Sequence, residues 1–315
     1  MIENTTLYSR ISIIVPVYNS SESLELLVDR LHRTLTQNNY EFEIILIDDC
    51  SSDSSWETLK FLKSVYGEAL KVIKLLVNSG QHNAILCGLH LSCGDIVITM
   101  DDDLQNPPEE IPKLVDAVEK GFELVIGAYD SRKHSAVRKS SGNVIDWLLR
   151  QIFHLPREFQ LTSFRATTRR VVDNVCQMGG VFPYITAMVF SSTSNYTNVL
   201  VRHDPRPFGR SNYNLKRSSS LAANLIFSYS SYPLYFVAFV CALAFLCALL
   251  FGTVVSIQVV TLGSSVPGWA STIIVVSFFN ALTLLCLLVF GLYLSRISQQ
   301  LFRTRISYTV SEIHE

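Results

Sequence analysis

The chain has 315 residues, with 26 Lys and Arg against 27 Asp and Glu and a net charge of −1, which excludes a global positive field for nucleic acid. It is 49% hydrophobic and 17% charged, with a mean hydropathy of +0.28, too apolar for an average soluble enzyme. The excess lies at one end: residues 218–295 include no Asp, Glu, Lys, Arg or His.

Residues 11–17 (ISIIVPV) form a continuous apolar run of strand length, rich in β-branched side chains. Tyr18, Asn19 and Ser20 turn the chain, and Ser21 is an N-cap for a helix to about Thr36, with Leu24, Leu27, Val28, Leu31 and Leu35 on one face. Residues 43–47 (EIILI) are a second strand ending in Asp48 and Asp49. Ser51, Ser52 and Asp53 then open a helix carrying Trp56, Leu59, Leu62 and Val65. A third strand is expected over 71–77, a turn at Asn78-Ser79-Gly80, and a helix over 81–91. A fourth strand, 95–100, is followed by a helix over 109–119 and a fifth strand over 122–126. Such alternation builds a parallel sheet covered by helices. Ligands of these sheets bind beyond the carboxyl ends of the strands, where both acidic groups, Asp48/Asp49 and Asp101 to Asp103, stand.

The second group sits in GDIVITMDDDLQNPPEEIP, residues 94–112. Three adjacent carboxylates repel one another unless something positive sits among them. Those of Asp101 and Asp103 converge if the chain turns, and Gln105 adds a neutral oxygen. Such ligands suit Mg²⁺ or Mn²⁺ with phosphate oxygens completing the shell. The alternative is a solvated acidic turn that caps the next helix, where Glu109 and Glu110 suit the dipole. No G-x-G-x-x-G follows the first strand and no G-x-x-x-x-G-K-[ST] occurs, which tells against a dinucleotide dehydrogenase and a P-loop NTPase.

Residues 130–139 (DSRKHSAVRK) are basic, and Arg132 and Arg138 among them suit either a phosphate or solvent. Residues 144–153 look amphipathic, for the membrane interface or for the core. A helix is expected over 169–177, an apolar segment over 182–190 and an edge strand over 198–203. The stretch 202–217 (RHDPRPFGRSNYNLKR) is a basic loop able to close over an anionic substrate, or a positive flank of a membrane segment, or both. Residues 232–257 and 272–294 are each long enough to cross a bilayer, which needs about 20 apolar residues. Positive residues outside both spans put both chain ends in the cytoplasm. Seven cysteines without C-x-x-C or Cys/His spacing fit reduced thiols. No apolar run near the first residue suggests a cleavable signal peptide.

A cytoplasmic α/β domain with a metal-diphosphate site, fixed to a membrane, acts where a nucleotide-linked donor meets a lipid. A lipid phosphate acceptor needs no general base, because its second pKa is about 6. The stretches IIVPVYN at Ile13, LIDDCSSDSS at Leu46, NSGQHNAILCGL at Asn78, MDDDLQNPPEEIP at Met100 and R-x-x-G-x-S at Arg206 carry a resemblance. Together with the two C-terminal spans, they resemble glycosyltransferase family 2, in its polyprenyl-phosphate glycosyltransferase branch. The resemblance covers nearly the whole chain.

It implies an α/β, GT-A (Rossmann-like, mostly parallel sheet) cytoplasmic domain over 1–213. After this come an interfacial helix over 214–231, a transmembrane hairpin over 232–295 and a cytoplasmic tail over 296–315. It implies transfer of a sugar from a nucleotide-sugar, UDP-linked or GDP-mannose, to a polyprenyl phosphate such as undecaprenyl phosphate. The reaction inverts the anomeric carbon and uses Mg²⁺ or Mn²⁺. By the resemblance, Pro16, Tyr18, Asp48 and Asp49 contact the nucleoside. Asp101, Asp103 and Gln105 hold the metal, Asp102 and Arg132 lie beside the donor, and Arg206 meets phosphate. Arg138, Arg210, Ser211 and Arg217 are the acceptor-phosphate candidates. The expected setting is a bacterial inner membrane, a product used in lipopolysaccharide or O-antigen modification, and a homo-oligomer.

Departures are local. Asn212 stands where relatives often have Lys, so Arg210 or Arg217 takes its place. Residues 160–165 (QLTSFR) replace an acidic D-x-G-D-F-R, and Ser20 replaces a frequent Glu. A processive polysaccharide synthase would need Q-x-x-R-W, which is absent. A nucleotidyltransferase would want a Gly-rich first turn, which VPVYNSSE is not. A catalytically silent membrane scaffold is the reading from a different class.

Overall fold

The computed structural model describes residues 10–129, 149–207 apart from 154, 157 and 179–182, then 268–302 and 308–315, with isolated positions between 239 and 261. Among the described residues eight strands form one sheet: β1 (Arg10–Val17), β2 (Glu41–Asp48), β3 (Leu70–Leu75), β4 (Ile96–Thr99), β5 (Leu124–Ala128), β6 (Arg165–Thr168), β7 (Tyr196–Leu200) and β8 (Val310–His314). Their spatial order is β7-β5-β6-β4-β1-β2-β3-β8. The run β4-β1-β2-β3 is parallel throughout, and β5 and β7 are parallel to each other. β6 is antiparallel to both β4 and β5, and β8 is antiparallel to β3.

The apolar runs explain the centre of the sheet. β1 is buried from Ile11 to Val17, because a central strand covered on both faces has no solvent side. Ile11, Ile13, Val15 and Val17 join one core with the apolar stripes of α1 (Ser21–Gln37), α2 (Ser55–Tyr66) and α4 (Ile111–Glu119). On the other face α3 (Gln81–Leu91) lies so close that a Cβ on Gly88 would stand 2.5 Å from Ile14 Cγ2 and 2.9 Å from Ile47 Cδ1. Gly88→Ala should therefore lower stability by about 2 kcal/mol through overpacking, despite the better helix propensity of Ala. Thermal unfolding of the variant checks this.

At the amino ends of the strands, away from the acidic turn, Glu43 is fully buried. Burial pushes its pKa up, but Ser12 Oγ (2.6 Å), the Cys93 N–H (2.7 Å) and Lys71 Nζ (3.0 Å) outweigh that and hold it below the usual value. This acid is a structural anchor.

Several elements differ from the sequence reading. Residues 108–110 wind as a 3₁₀ turn and α4 begins at Ile111. The strand expected over 198–203 runs over Tyr196–Leu200, because its pairing with β5 from Leu124 onward sets the register. The apolar segment at 182–190 is helical from Ile185 onward, in α6 (Ile185–Ser192), after α5 (Arg169–Gln177). Helix α1 has Ser20 in the cap position, without a side-chain cap bond. The described end of the amphipathic stretch packs inward: Leu149 is buried, and the Phe153 ring lies 5.9 Å from that of Phe190. β8, in the expected tail, returns to the sheet edge, with Leu76 N–H donating to the Thr309 carbonyl at 2.8 Å.

The chain divides into two compact units, Met1–Ser218 with Arg303–Glu315, and Ser219–Phe302. The second contains α7 (Trp269–Phe302), described along its backbone and at only some of its side chains. No helix, taken over the described residues, is long and apolar enough to cross a membrane. The span expected over 232–257 lies almost wholly outside them.

Candidate donor-binding site

β1, β2 and β4 are neighbours, and their carboxyl ends open into three adjacent turns. Each turn contains a non-glycine residue in left-handed backbone: Asn19 (φ 52°), Cys50 (φ 57°) and Leu104 (φ 60°). Such backbone costs a side-chain-bearing residue about 1–2 kcal/mol. Compensation is visible at two of them. Asn19 Oδ1 accepts the Ser52 N–H at 2.8 Å. Leu104 is 2% exposed and belongs to the main core, so burial of its side chain pins the acidic turn to the sheet.

The turns surround a cleft of about 290 Å³ lined by Pro16, Val17, Tyr18, Asp49, Asn78, Gly80, Gln81, Asp101, Asp102, Asp103 and Arg206. Asp101 Oδ1 accepts from Gln81 Nε2 at 2.7 Å, and its Oδ2 from Ser163 Oγ at 2.5 Å. Asp102 Oδ2 accepts the Tyr18 N–H at 3.3 Å. Asp103 Oδ2 receives Arg206 Nη2 at 2.6 Å, while its Oδ1 accepts the Gln105 N–H at 3.1 Å. Across the cleft, Asp49 accepts the N–H groups of Ser79 (2.6 Å) and Gly80 (2.8 Å).

The acids carry their charge at a cost. Burial raises the pKa of Asp101, and Asp103 adds to this, while Ser163, Arg165 and Arg206 oppose it. Burial, with Asp101 and Asp103, pushes Asp102 up to about 6 against the hydrogen bonds from Ser20 and Tyr18. Burial also raises Asp49, against the N–H groups of Ser79 and Gly80. A cation entering the cleft relieves these penalties, so the donor set fits a hard divalent ion. Among the described residues no group of three His, Cys, Asp or Glu could hold a metal ion. A site of Mg²⁺ type takes one or two carboxylates and substrate phosphates rather than an all-protein cage.

The structure thus brings Pro16, Tyr18, Asp49, Asp101, Asp102, Asp103 and Arg206 to one cleft. It separates Asp48 from Asp49. Asp48 is wholly buried, its carboxylate accepts the Ser51 N–H at 3.2 Å, and it does not line the cleft. Gln105 also lies outside the lining; its amide nitrogen stands 3.5 Å from His203 Nε2. Arg132, Arg138, Arg210, Ser211 and Arg217 lie outside the described residues.

Sequence reasoning missed the layer behind the acids. Tyr129 donates to Asn106 Oδ1 at 2.6 Å and stacks on His203 with ring centroids 4.1 Å apart. Arg165, 3% exposed, gives Nη1 to Thr186 Oγ1 at 3.3 Å, and its buried Nε has no hydrogen-bond partner. Beside it, His82 meets the Tyr184 ring at 4.6 Å, with its shielded Nδ1 likewise without a partner. Arg165 lies in QLTSFR, His82 in NSGQHNAILCGL and Asn106 in MDDDLQNPPEEIP, but nothing local in these stretches shows that distant segments meet there.

Burial, aided by the charge of Arg165, holds His82 down at about 4. Its folded pKa is below the unfolded value of about 6.5, so the neutral ring stabilises the fold above pH 6.5 and that contribution is lost as pH falls toward 4. The residue is partly exposed, which limits the loss to on the order of 2 kcal/mol. His82→Phe, which keeps the contact with Tyr184, should fall less in melting temperature than the parent between pH 6.5 and 4.

The family model described as "Glycosyl transferase family 2" matches residues 12–181. The chain is 36% identical over 227 residues to undecaprenyl-phosphate 4-deoxy-4-formamido-L-arabinose transferase of Yersinia pestis (strain Pestoides F), covering 71% of this chain and 69% of that one. To the protein of the same name from Serratia proteamaculans (strain 568) it is 35% identical over the same shares. A solved structure of glucosyl-3-phosphoglycerate synthase from Mycobacterium tuberculosis, in complex with Mn²⁺, UDP and phosphoglyceric acid, is similar at TM-score 0.51 and 19% identity, over 70% of this chain and 76% of that one. That likeness is one of fold, GT-A-like α/β with a mostly parallel sheet. The family match and the identity to these relatives show that the chain belongs to glycosyltransferase family 2 and is a glycosyltransferase.

Proposed function

We propose that the protein moves a sugar from a nucleotide-sugar, UDP-linked, to a polyprenyl phosphate such as undecaprenyl phosphate, with inversion, at the cytoplasmic face of a bacterial inner membrane. The observation that carries this reading is the convergence of Tyr18, Asp49, the three aspartates and Arg206 on one cleft at the strand ends. The relatives' names supply the acceptor class, and the solved structure of like fold held UDP and Mn²⁺.

In this reading Pro16, Tyr18 and Asp49 seat the nucleoside. Asp101 and Asp103 hold Mg²⁺ or Mn²⁺, and Gln105 braces the turn. The ion supplies charge stabilisation for the departing diphosphate. Arg206 lies against Asp103 and meets a phosphate of the donor. The acceptor phosphate is already ionised near neutral pH, so positioning by basic residues replaces proton abstraction. Arg138, Arg210, Ser211 and Arg217 are assigned to that task. Residues 232–295 serve as the membrane anchor. In support, Val276, Phe278, Leu285, Leu287, Leu288, Phe290 and Leu294 of α7 are each more than half exposed. Apolar residues all round a helix suit lipid or the core of a large protein. The lipid-linked sugar would feed envelope glycan modification.

The test uses membranes containing the full chain, a panel of labelled nucleotide-sugars and undecaprenyl phosphate, with Mg²⁺ or with EDTA. A solvent-extractable labelled lipid that forms only with the metal is expected. No lipid product from any donor would favour the silent scaffold.

A further inference from the structure

We propose that Ser163 and Gln81 are positioning residues that fix the Asp101 carboxylate so that it and Asp103 address the same ion. The proposal rests on the functional reading above. Each oxygen of Asp101 is engaged by a different neutral donor, Gln81 Nε2 at 2.7 Å and Ser163 Oγ at 2.5 Å. A carboxylate oxygen has two lone-pair directions, so these bonds set the carboxylate plane and leave one direction on each oxygen for a ligand.

Both donors are themselves anchored. Ser163 immediately precedes Phe164, which is fully buried, and its carbonyl accepts Thr99 Oγ1 at 2.8 Å. β4 and β6 are antiparallel, with Thr99 opposite Arg165. The exit of β4 toward Asp101 therefore faces the entry of β6 from Ser163. Gln81 is the first residue of α3, and that helix start is tied to the second acidic strand end through the Ser79 and Gly80 N–H bonds to Asp49. The two turns that approach the donor from opposite sides thus share one hydrogen-bonded frame. Arg165 adds positive potential near Asp101 without an ion pair of its own among the described residues. Neutral donors that orient a metal-holding carboxylate typically matter by 10–100-fold in metal affinity or activity.

The experiment measures Mn²⁺ binding to the full chain by electron paramagnetic resonance with UDP and without acceptor, against a protein-free Mn²⁺–UDP control, alongside kcat, donor KM and melting temperature. Ser163→Ala and Gln81→Leu should each weaken Mn²⁺ binding roughly 10-fold and lower kcat more than they raise donor KM, with melting temperatures close to the parent. Ser163→Thr keeps the hydroxyl and should restore binding to within about 3-fold, a rescue that a purely structural role would not produce. Equal Mn²⁺ affinity in the parent and both variants overturns the positioning role and leaves the proposed function standing. A parent that binds no Mn²⁺ even with UDP present overturns both, because no metal-holding carboxylate would then exist to be positioned.

Discussion

Asp103→Asn is expected to reduce sugar transfer by on the order of 100-fold or more while the protein still folds. Among the described residues, Asp103 is the acid of the turn that pairs with a cation, Arg206, and its side chain is 12% exposed. The amide substitute keeps an oxygen that can accept the Gln105 N–H, so the turn retains its shape. What disappears is a full negative charge from the cleft, where the proposed ion would be held by Asp101 and Asp103. The lost contact to Arg206, itself 35% exposed, is worth at most about 1 kcal/mol. Folding and chemistry should therefore separate: thermal unfolding shifts by a few degrees, while labelled lipid formation nearly vanishes. Transfer at the parental rate by a folded Asp103→Asn variant would remove this residue from the reaction.

The same separation shows why parts of the molecule were legible in the sequence. Parallel strands covered on both faces leave apolar runs, and IVIT before the aspartates or ISIIVPV before Tyr18 can do little else. Two other strands are different, β6 inside the sheet and β8 at its edge. β6 is RATT and β8 is VSEIH. Neither has an apolar run, and both are strands because a neighbour with free backbone groups fixes their register. The acidic turn announced itself because three carboxylates at a strand end demand an explanation. Its conformation did not, since Leu104 in left-handed backbone contradicts local preference and holds only because the side chain is buried. Position of the partners was equally hidden. Ser163 lies 62 residues from Asp101 and Arg206 lies 103 from Asp103. Arg206 stands out through its motif; Gln81 and Ser163 lie in the stretches NSGQHNAILCGL and QLTSFR, but nothing local in either shows that its side chain meets Asp101.

Arg206→Ala should give two effects of opposite sign. Its segment is held independently of its side chain: the Val201 N–H donates to the Ala128 carbonyl and the Asp204 N–H to the Gln105 carbonyl, both at 2.9 Å. Arg202 contacts Glu109 at 3.8 Å, and Glu109 is gripped by two hydrogen bonds from Arg30. Removing the guanidinium therefore leaves the strap in place. It also frees Asp103 Oδ2 of a cation 2.6 Å away that competes with any metal for the same oxygen. At the upper value of about 1 kcal/mol for this partly exposed pair, Mn²⁺ alone should bind the variant as well as or roughly 5-fold better than the parent. Transfer should nevertheless fall roughly 100-fold, because the donor's phosphates lose a charge-assisted partner. Arg206→Lys should recover only part of the rate, since an ammonium offers a point charge where the guanidinium offers a planar fork. If metal binding and transfer fell together in Arg206→Ala, the residue would be bracing the turn rather than waiting for phosphate.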